Sequence, residues 1–383
     1  MKKKLAVIFG GDSCERDVSV ITGLQAIDAI DKNRFEARGF FFSRGRFYTA
    51  DNLKVEDFCA FEPARFKEVL LHCGAFYEIK GSKIKKFFQP EAALMCAHGG
   101  DGENGVLSGY LEMMGVPYTC SGVLGSAIGM DKAVSKELFQ SMLLNVVKYL
   151  VVTRSDIEGN PDATLLHIET FLDYPLIVKP AMQGSSIGIE KARDRSSLLR
   201  ALEIAASFGE KIVVEKYLED FKEVNCACFF DGEKIVVSET EEPYSLNEFL
   251  TFEDKYISNQ KTFGRKIPAS ISEEEAAVIK STTERIYSEL ELFGVVRMDY
   301  LVCRKTGKVF INEINTIPGS LAYYLFEPLG ITYSDLVEKM VNAAVARRDR
   351  QLKEKTTFKS EVLKHYNKSF KLGGNKNRTV AKS

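Results

Sequence analysis

The sequence predicts an α/β protein that begins with an open, doubly wound parallel sheet. Residues 5–9 form a short apolar run that glycines end, as expected of a parallel strand buried on both faces. Apolar residues recur at helical spacing over residues 19–30, and a second apolar run covers residues 92–97. Since ligands of such sheets gather at the carboxyl ends of the strands, the loops after these runs are candidate binding sites.

Helices and strands continue through the rest of the chain. Helices are predicted at 105–114, 132–144, 196–206 and 273–290, and strands at 175–178, 212–214, 224–230, 234–238, 295–302 and 309–314. Segment 239–268 has no clear period, which predicts a long functional or mobile loop. From residue 347 onward the chain contains 12 Lys or Arg residues and only 3 acidic residues, which predicts a solvated, partly disordered tail. A tail that binds nucleic acid or a partner is the alternative.

The composition is typical of a soluble globular protein. The chain has 383 residues, of which 45% are hydrophobic and 27% charged, enough for two or three domains. The net charge of −1 favours neither nucleic acid nor membrane as the main partner. No apolar run is long enough for a membrane span or a signal-peptide core. Eight cysteines without paired metal-ligand spacing favour reduced thiols, so we expect a cytoplasmic protein.

Polar residues alternate along two predicted strands near the C-terminal end. Arg297 and Asp299 are two apart in one strand, and Glu313 and Asn315 are two apart in the next. Side chains at positions i and i+2 share one face of a strand, so an antiparallel hairpin would bring these groups together. Two carboxylates and an amide oxygen suit Mg²⁺, and Arg297 could hold a developing negative charge. The alternative is a solvated hairpin face without a ligand.

A lysine and a glycine-serine loop follow the predicted strand at 175–178. Lys179 at the end of a buried strand needs an anionic partner, and the loop at 184–188 (GSSIG) could close over phosphate oxygens. The segment lacks the Walker pattern, so a P-loop is disfavoured. Glu215 follows another apolar run and could accept from an adenine amine or ribose hydroxyls. An ordinary turn and a surface acid are the respective alternatives.

Seven segments carry a resemblance to a known family. They are residues 10–19 (GGDSCERDVS), 98–105 (HGGDGENG), 129–132 (GMDK), 179–188 (KPAMQGSSIG), 255–256 (KY), 297–299 (RMD) and 313–319 (EINTIPG). In this order, over about residues 4–345, they resemble the D-alanine–D-alanine ligase family of the ATP-grasp superfamily. The resemblance implies a Rossmann-like preATP-grasp domain at 1–120, ATP-grasp subdomains at 121–210 and 211–345, and a basic tail at 346–383.

The resemblance also implies roles for individual residues. On the ATP side these are Lys132, Lys179 and Ser186 at the phosphates, Glu215 at adenine, Glu223 at ribose, and Lys216, Tyr217 and Leu218 as backbone contacts to adenine. The metal ligands would be Asp299, Glu313 and Asn315, and the oxyanion site Arg297 with the backbone N–H of Gly319. Glu15, linked to Ser185 and Tyr256, would hold the first substrate's ammonium near His98. Lys255, Tyr324 and Leu325 would contact the second substrate. A lone histidine is otherwise more often a core or loop residue.

The family's activity implies MgATP as cosubstrate and two amino acids as substrates. A substrate carboxylate would attack the γ-phosphate to give an acyl phosphate, which the amine of the second amino acid would then attack. Two Mg²⁺ ions are expected, with Mn²⁺ as a possible substitute. A homodimer is expected because family members are commonly dimers.

The chain departs from the family after Gly319. The family usually continues with a threonine-serine stretch and a serine that grips the second substrate's carboxylate, but residues 320–325 are SLAYYL, with Tyr324 at that place. A phenol can donate a hydrogen bond but is larger. Three hypotheses therefore stay open: a D-alanine–D-alanine ligase, an ATP-grasp ligase for another acid and amine, and a non-catalytic ATP-binding regulator. Retention of Arg297, Asp299 and Glu313 argues against the third.

Overall fold

Three β-sheets follow one another along the chain. The computed structural model describes residues 2–245, 263–355, 360 and 363 of the protein. In this part of the chain the sheets contain seven, four and five strands, and helices lie between and after the strands. The arrangement confirms the α/β class expected from the sequence.

The first sheet combines parallel and antiparallel strands. Its elements are β1 (Lys3–Gly10), α1 (Arg16–Ala29), β2 (Phe35–Ser43), β3 (Arg46–Thr49), α2 (Glu56–Cys59), a 3₁₀ turn (Pro63–Arg65), β4 (Lys67–His72), β5 (Ala75–Lys80), β6 (Lys83–Phe88), β7 (Ala92–Met95), α3 (Gly100–Glu103) and α4 (Val106–Met114). The strand order is β6-β5-β4-β3-β2-β1-β7, and β1 is parallel to both neighbours. The antiparallel strands β3–β6 were not predicted, because edge strand β6 (KIKKFF) exposes most of its side chains and has no apolar alternation.

The second sheet is small and antiparallel. Its part of the chain contains α5 (Val123–Met130), α6 (Lys132–Ser141), β8 (Tyr149–Thr153), α7 (Arg154–Gly159), α8 (Pro161–Phe171), β9 (Leu176–Pro180), β10 (Glu190–Ala192), α9 (Arg195–Ser207) and β11 (Lys211–Lys216). The order is β10-β9-β11-β8. Asp131 starts α6 by accepting from the backbone N–H of Ala133 and Val134, which satisfies donors at the helix end. This cap fixes the start of α6 and therefore the position of its first residue, Lys132.

The third sheet carries the predicted hairpin. Its elements are β12 (Phe221–Phe230), β13 (Ile235–Ser245), β14 (Phe263–Lys266), α10 (Glu273–Glu289), β15 (Val296–Cys303), β16 (Val309–Asn315), 3₁₀ turns (Gly319–Leu325 and Glu327–Leu329) and α11 (Tyr333–Gln351). The order is β14-β13-β12-β15-β16, all antiparallel. The interpretation of 239–268 as one loop is wrong where the structure describes it, since β13 runs to Ser245 and β14 follows the gap. The hydrophobic period is missing because Glu241 and Thr240 are buried although polar.

Three large hydrophobic clusters stabilise the sheets. Core residues of the first sheet pack with Phe229 and Met340 from the C-terminal part, so these regions share one apolar cluster. A second cluster joins the other face of the five-stranded sheet to Phe139 of α6. The four-stranded sheet has its own cluster around Ile168 and Leu202. Burial of such side chains contributes about 1.5–3 kcal/mol each.

The subdomain limits remain predictions. Strand β11 pairs with β8 and β9, so the four-stranded sheet reaches Lys216, beyond the predicted limit at 210. Helix α11 continues past 345 to Gln351, and its first turn is capped by Thr332 and Asp335. In the described ranges no helix is long and apolar enough to cross a membrane.

Candidate active site

Two cavities meet at the hairpin of β15 and β16. The first, of about 360 Å³, is lined from the first sheet, the glycine-serine loop and the third sheet. The second, of about 490 Å³, lies between the four-stranded and five-stranded sheets. Lys132, Ser185, Glu223, Asp299 and Glu313 line both cavities. Residues far apart in the sequence thus converge on one junction.

The register of β15 and β16 brings the four polar hairpin residues together. Asp299 pairs with Glu313, and Arg297 pairs with Asn315. Arg297 Nε and Nη2 donate to the two Asp299 oxygens at 2.7 and 2.8 Å, and Asn315 Nδ2 donates to Asp299 Oδ2 at 3.0 Å. Burial lowers the pKa of Arg297, but the Asp299 carboxylate outweighs burial and raises it. Arg297 therefore stays charged, and the prediction that these residues share one face is confirmed.

Lys132 connects the hairpin to the glycine-serine segment. Its ammonium donates to the backbone carbonyl of Gln183 at 2.6 Å and lies 3.4 Å from Glu313 Oε2. The side chain is almost fully buried, so its charge acts in a medium where electrostatic interactions are strong. A cation held there can attract an anionic group in either cavity.

Glu215 is enclosed by two lysines in the second cavity. Its Oε1 lies 2.8 Å from Lys136 Nζ and 2.9 Å from Lys179 Nζ, and Lys179 also donates to Asn312 Oδ1 at 3.3 Å. Burial alone would raise the pKa of Glu215, but the two lysines outweigh it and the pKa lies below its ordinary value. Glu215 is therefore ionised, and it supplies the anionic partner that Lys179 was expected to need.

Glu15 and the glycine-serine loop touch in the first cavity. Ser185 Oγ donates to Glu15 Oε1 at 2.5 Å, as the resemblance implied. A side-chain carbon at position 184 would lie 2.4 Å from Glu15 Oε2, so any larger residue there would displace the Glu15 carboxylate. Burial and the neighbouring Glu103 raise the pKa of Glu15, while the hydrogen bond from Ser185 opposes the shift. A bound cation would favour the ionised carboxylate.

His98 is buried beside the same cavity. Its Nε2 lies 2.8 Å from Thr22 Oγ1, which also accepts from the backbone N–H of Ser320 at 3.1 Å. Burial lowers the pKa of His98, and the Glu15 carboxylate opposes the shift. The position favours a neutral imidazole that lines the cavity, rather than a residue of the hydrophobic core.

The other predicted site residues fall into three groups. Ser186, Lys216, Tyr217 and Leu218 line the second cavity, and Gly319 and Tyr324 line the first. Leu325 is fully buried among core residues and is not brought to either cavity, because the turn that exposes Tyr324 directs the next side chain inward. Lys255 and Tyr256 lie outside the described residues.

Two family models together match most of the chain. The model described as "D-ala D-ala ligase N-terminus" matches residues 4–121, and "D-ala D-ala ligase C-terminus" matches residues 138–342.

The chain belongs to the D-alanine–D-alanine ligase family.

Individual proteins agree with this membership. The D-alanine–D-alanine ligase of Thermosipho africanus is 35% identical over 358 residues, covering 91% of this chain and 95% of that protein. The Acetivibrio thermocellus D-alanine–D-alanine ligase is 34% identical over 377 residues, covering 92% and 98%. The solved structure of VanG D-Ala:D-Ser ligase from Enterococcus faecalis has a TM-score of 0.75 at 27% identity, covering 90% of this chain and all (100%) of that one. This member of the D-alanine–D-alanine ligase family is therefore an ATP-dependent ligase with an ATP-grasp fold.

Four side chains at the site of this D-alanine–D-alanine ligase family member were not predicted from the sequence. They are Glu103, Lys136, Glu241 and Arg265. Lys136 had a signal, because it lies one helical turn after Lys132 on the same face of α6. Glu103 and Glu241 are acids whose burial depends on distant strands, and nothing near them in the sequence shows it.

Glu103 links two loops of the first cavity. Its Oε2 accepts from the backbone N–H of Gly99 at 3.0 Å, and its Oε1 accepts from the backbone N–H of Ile317 at 2.9 Å and from Thr316 Oγ1 at 3.1 Å. Burial raises the pKa of this carboxyl, and these hydrogen bonds oppose the shift. One carboxylate thus fixes the loop after β7 against the loop after β16.

Replacing Glu103 with alanine is expected to lower the free energy of unfolding by about 3 kcal/mol, because each buried donor left without a partner costs about 1–3 kcal/mol. Glu103→Gln should cost less, since its amide oxygen still accepts. Urea unfolding measures both changes. Equal stability of Glu103→Ala and the parent would show that the loops are held by other contacts.

Proposed function

We propose that this chain joins two D-alanine molecules through an acyl phosphate, for synthesis of a peptidoglycan precursor. The observation that carries the proposal is the shared junction, where Lys132, Asp299 and Glu313 line both cavities. A phosphate transferred from nucleotide in the second cavity to a carboxylate in the first has to cross this junction. The adjacent charges would neutralise the spreading negative charge.

The second cavity is the proposed nucleotide site. Lys132 and Lys179 would contact the phosphates, and the loop with Ser186 would cover them. Glu215 is held between lysines, where a carboxylate oxygen can accept from the adenine amine. Lys216, Tyr217 and Leu218 would offer backbone groups to adenine, and Glu223 would accept from ribose hydroxyls.

Asp299, Glu313 and Asn315 are the proposed metal ligands. All three supply oxygen, and Arg297 and Asn315 hold the Asp299 carboxylate in a fixed orientation. This set fits Mg²⁺, which prefers oxygen ligands, and also Mn²⁺. A bound divalent metal would offset the negative charge of the phosphate oxygens, which otherwise repels an attacking carboxylate. We propose Mg²⁺ as the natural metal, with two ions bound as the family resemblance implies.

The first cavity is the proposed amino-acid site. Glu15 would pair with the ammonium of the first D-alanine, and Ser185 holds that carboxylate in place. His98 would contact the same substrate. Arg297 and the Gly319 N–H would stabilise the oxyanion, since both line this cavity. Tyr256 and Lys255 keep their predicted roles in loop closure and in binding the second substrate.

A ligase with a different second amino acid is the alternative function. Tyr324 lines the first cavity at the place where the family usually has a serine, and its ring reduces the space there. The similarity to the structure of VanG D-Ala:D-Ser ligase supports this alternative. In either case we propose that the protein is a cytoplasmic homodimer. Light scattering would measure the mass of the dimer.

Mass spectrometry of products made from MgATP and a pool of D- and L-amino acids tests the proposal. We expect D-alanyl-D-alanine as the main product and phosphate release that depends on D-alanine. A mixed dipeptide would favour the alternative. Absence of phosphate release with every amino acid would contradict both and favour a non-catalytic ATP-binding protein.

A further inference from the structure

Arg265, Tyr324 and Glu241 form a contact cluster on the wall of the first cavity. The Tyr324 hydroxyl donates to Glu241 Oε2 at 3.2 Å. The Arg265 guanidinium lies over the Tyr324 ring, 3.9 Å from its centre, and Arg265 Nε lies 3.6 Å from Glu241 Oε1. Asn225 Nδ2 also donates to Glu241 Oε2, at 3.2 Å. The cluster joins β12, β13, β14 and the turn after β16.

The cluster lies beside the proposed acyl-transfer centre. All three of its residues line the first cavity, together with Asn225 and Arg297. Glu241 is close enough to Arg297 for its negative charge to act on the guanidinium. Glu15 and Ser185, the proposed binding groups for the first amino acid, belong to other elements of the same cavity. The cluster therefore has the position expected of a subsite for the attacking amino acid.

The members of the cluster differ in accessibility. Only 2% of the Glu241 side chain is accessible, whereas 41% of the Arg265 side chain is. Glu241 is thus a buried anchor that accepts hydrogen bonds from Tyr324 and Asn225 and forms an ion pair with Arg265. A guanidinium carries five N–H donors in a planar fork that matches a carboxylate. The ring of Tyr324 restricts the plane of this fork, so less entropy is lost when an anion binds.

We propose that Arg265 binds the carboxylate of the acceptor amino acid, and that Tyr324 and Glu241 are positioning residues that hold its guanidinium. The inference rests on the proposed ligase function. It gives Arg265 the task that the family usually assigns to the serine replaced here by Tyr324. The acceptor is accordingly a small amino acid with a free carboxylate.

Competition between D-alanine and D-alaninamide for the same acyl phosphate tests the proposal. The amide lacks the carboxylate, so Arg265→Gln should lower the ratio of dipeptide to dipeptide amide by about tenfold or more. Arg265→Lys should restore part of the ratio, because a single charge remains. Hydroxylamine trapping of the acyl phosphate, which needs no acceptor carboxylate, should be slowed far less than dipeptide formation in both variants.

Three further variants separate positioning from a merely structural role. Tyr324→Phe keeps the ring but removes the donor to Glu241, and Glu241→Gln removes the charge. Both should lower the product ratio by a larger factor than they slow hydroxamate formation. Arg285→Gln is the matched control, since Arg285 on α10 has 46% of its side chain accessible and pairs with Glu289. Its product ratio should equal that of the parent.

An unchanged product ratio in Arg265→Gln would overturn the assignment, as would an unchanged ratio in Arg265→Lys if circular dichroism shows that Arg265→Gln is unfolded. A lowered ratio in Lys255→Gln in the same experiment would then identify Lys255 as the anchor. If the unmodified protein forms no hydroxamate with D-alanine, the proposed function fails instead, so the two failures are distinguishable.

Discussion

Replacing Glu313 with glutamine should lower kcat by at least about 10²–10³-fold, the usual loss when one preorganised electrostatic group is removed. Glutamine has nearly the same shape but no charge, so it weakens the proposed metal ligand and the pairing with Lys132, 3.4 Å away. Phosphate release with D-alanine measures the rate. Because Glu313 is not part of a hydrophobic core, the unfolding temperature should change little.

Glu289→Gln is the matched control for this prediction. Glu289 is an exposed acid on α10 that pairs with Arg285, so its replacement should leave kcat unchanged. Near-normal activity of Glu313→Gln would remove Glu313 from the metal site. Lost activity with a lost circular dichroism signal would instead indicate a folding defect.

Arg297→Lys is expected to lower kcat by about 10²-fold, although the charge is kept. Arg297 holds both oxygens of Asp299 through two parallel hydrogen bonds, which a single ammonium cannot reproduce. The same change moves the cation away from the proposed oxyanion. Formation of D-alanine hydroxamate and of dipeptide, measured separately, should both fall, since Asp299 has a proposed role in the first step and Arg297 in the second.

Arg285→Lys provides the control for this exchange, because Arg285 makes a single exposed pair with Glu289. A parent-like rate for Arg297→Lys would mean that the fork geometry is unimportant at this site. A loss confined to the dipeptide step would place Arg297 at the oxyanion only and would separate it from the orientation of Asp299.

The sequence predicted those parts of the site that depend on local pattern. The two-residue spacing of Arg297, Asp299, Glu313 and Asn315 indicated one strand face, because alternation along a strand needs no knowledge of the remaining fold. The contact between Ser185 and Glu15 came only from the family resemblance, since 170 residues separate them. The fold class followed from apolar periodicity in the same way.

The parts that were missed depend on long-range packing. Glu103 is buried by loops more than 200 positions away, and its own neighbours give no signal. Glu241 is a polar residue of β13 that lines the first cavity, so no apolar period marks it. Leu325 was assigned to a substrate contact from the family resemblance, whereas packing against the shared core decides its direction.

The separate hydrophobic core of the four-stranded sheet has a mechanical consequence. The first and third sheets share another apolar cluster and are further joined through Glu103. The four-stranded sheet has its own cluster and contributes a wall to both cavities. An outward movement of the four-stranded sheet would open the nucleotide and amino-acid cavities at the same time, so access for the two kinds of substrate would be coupled.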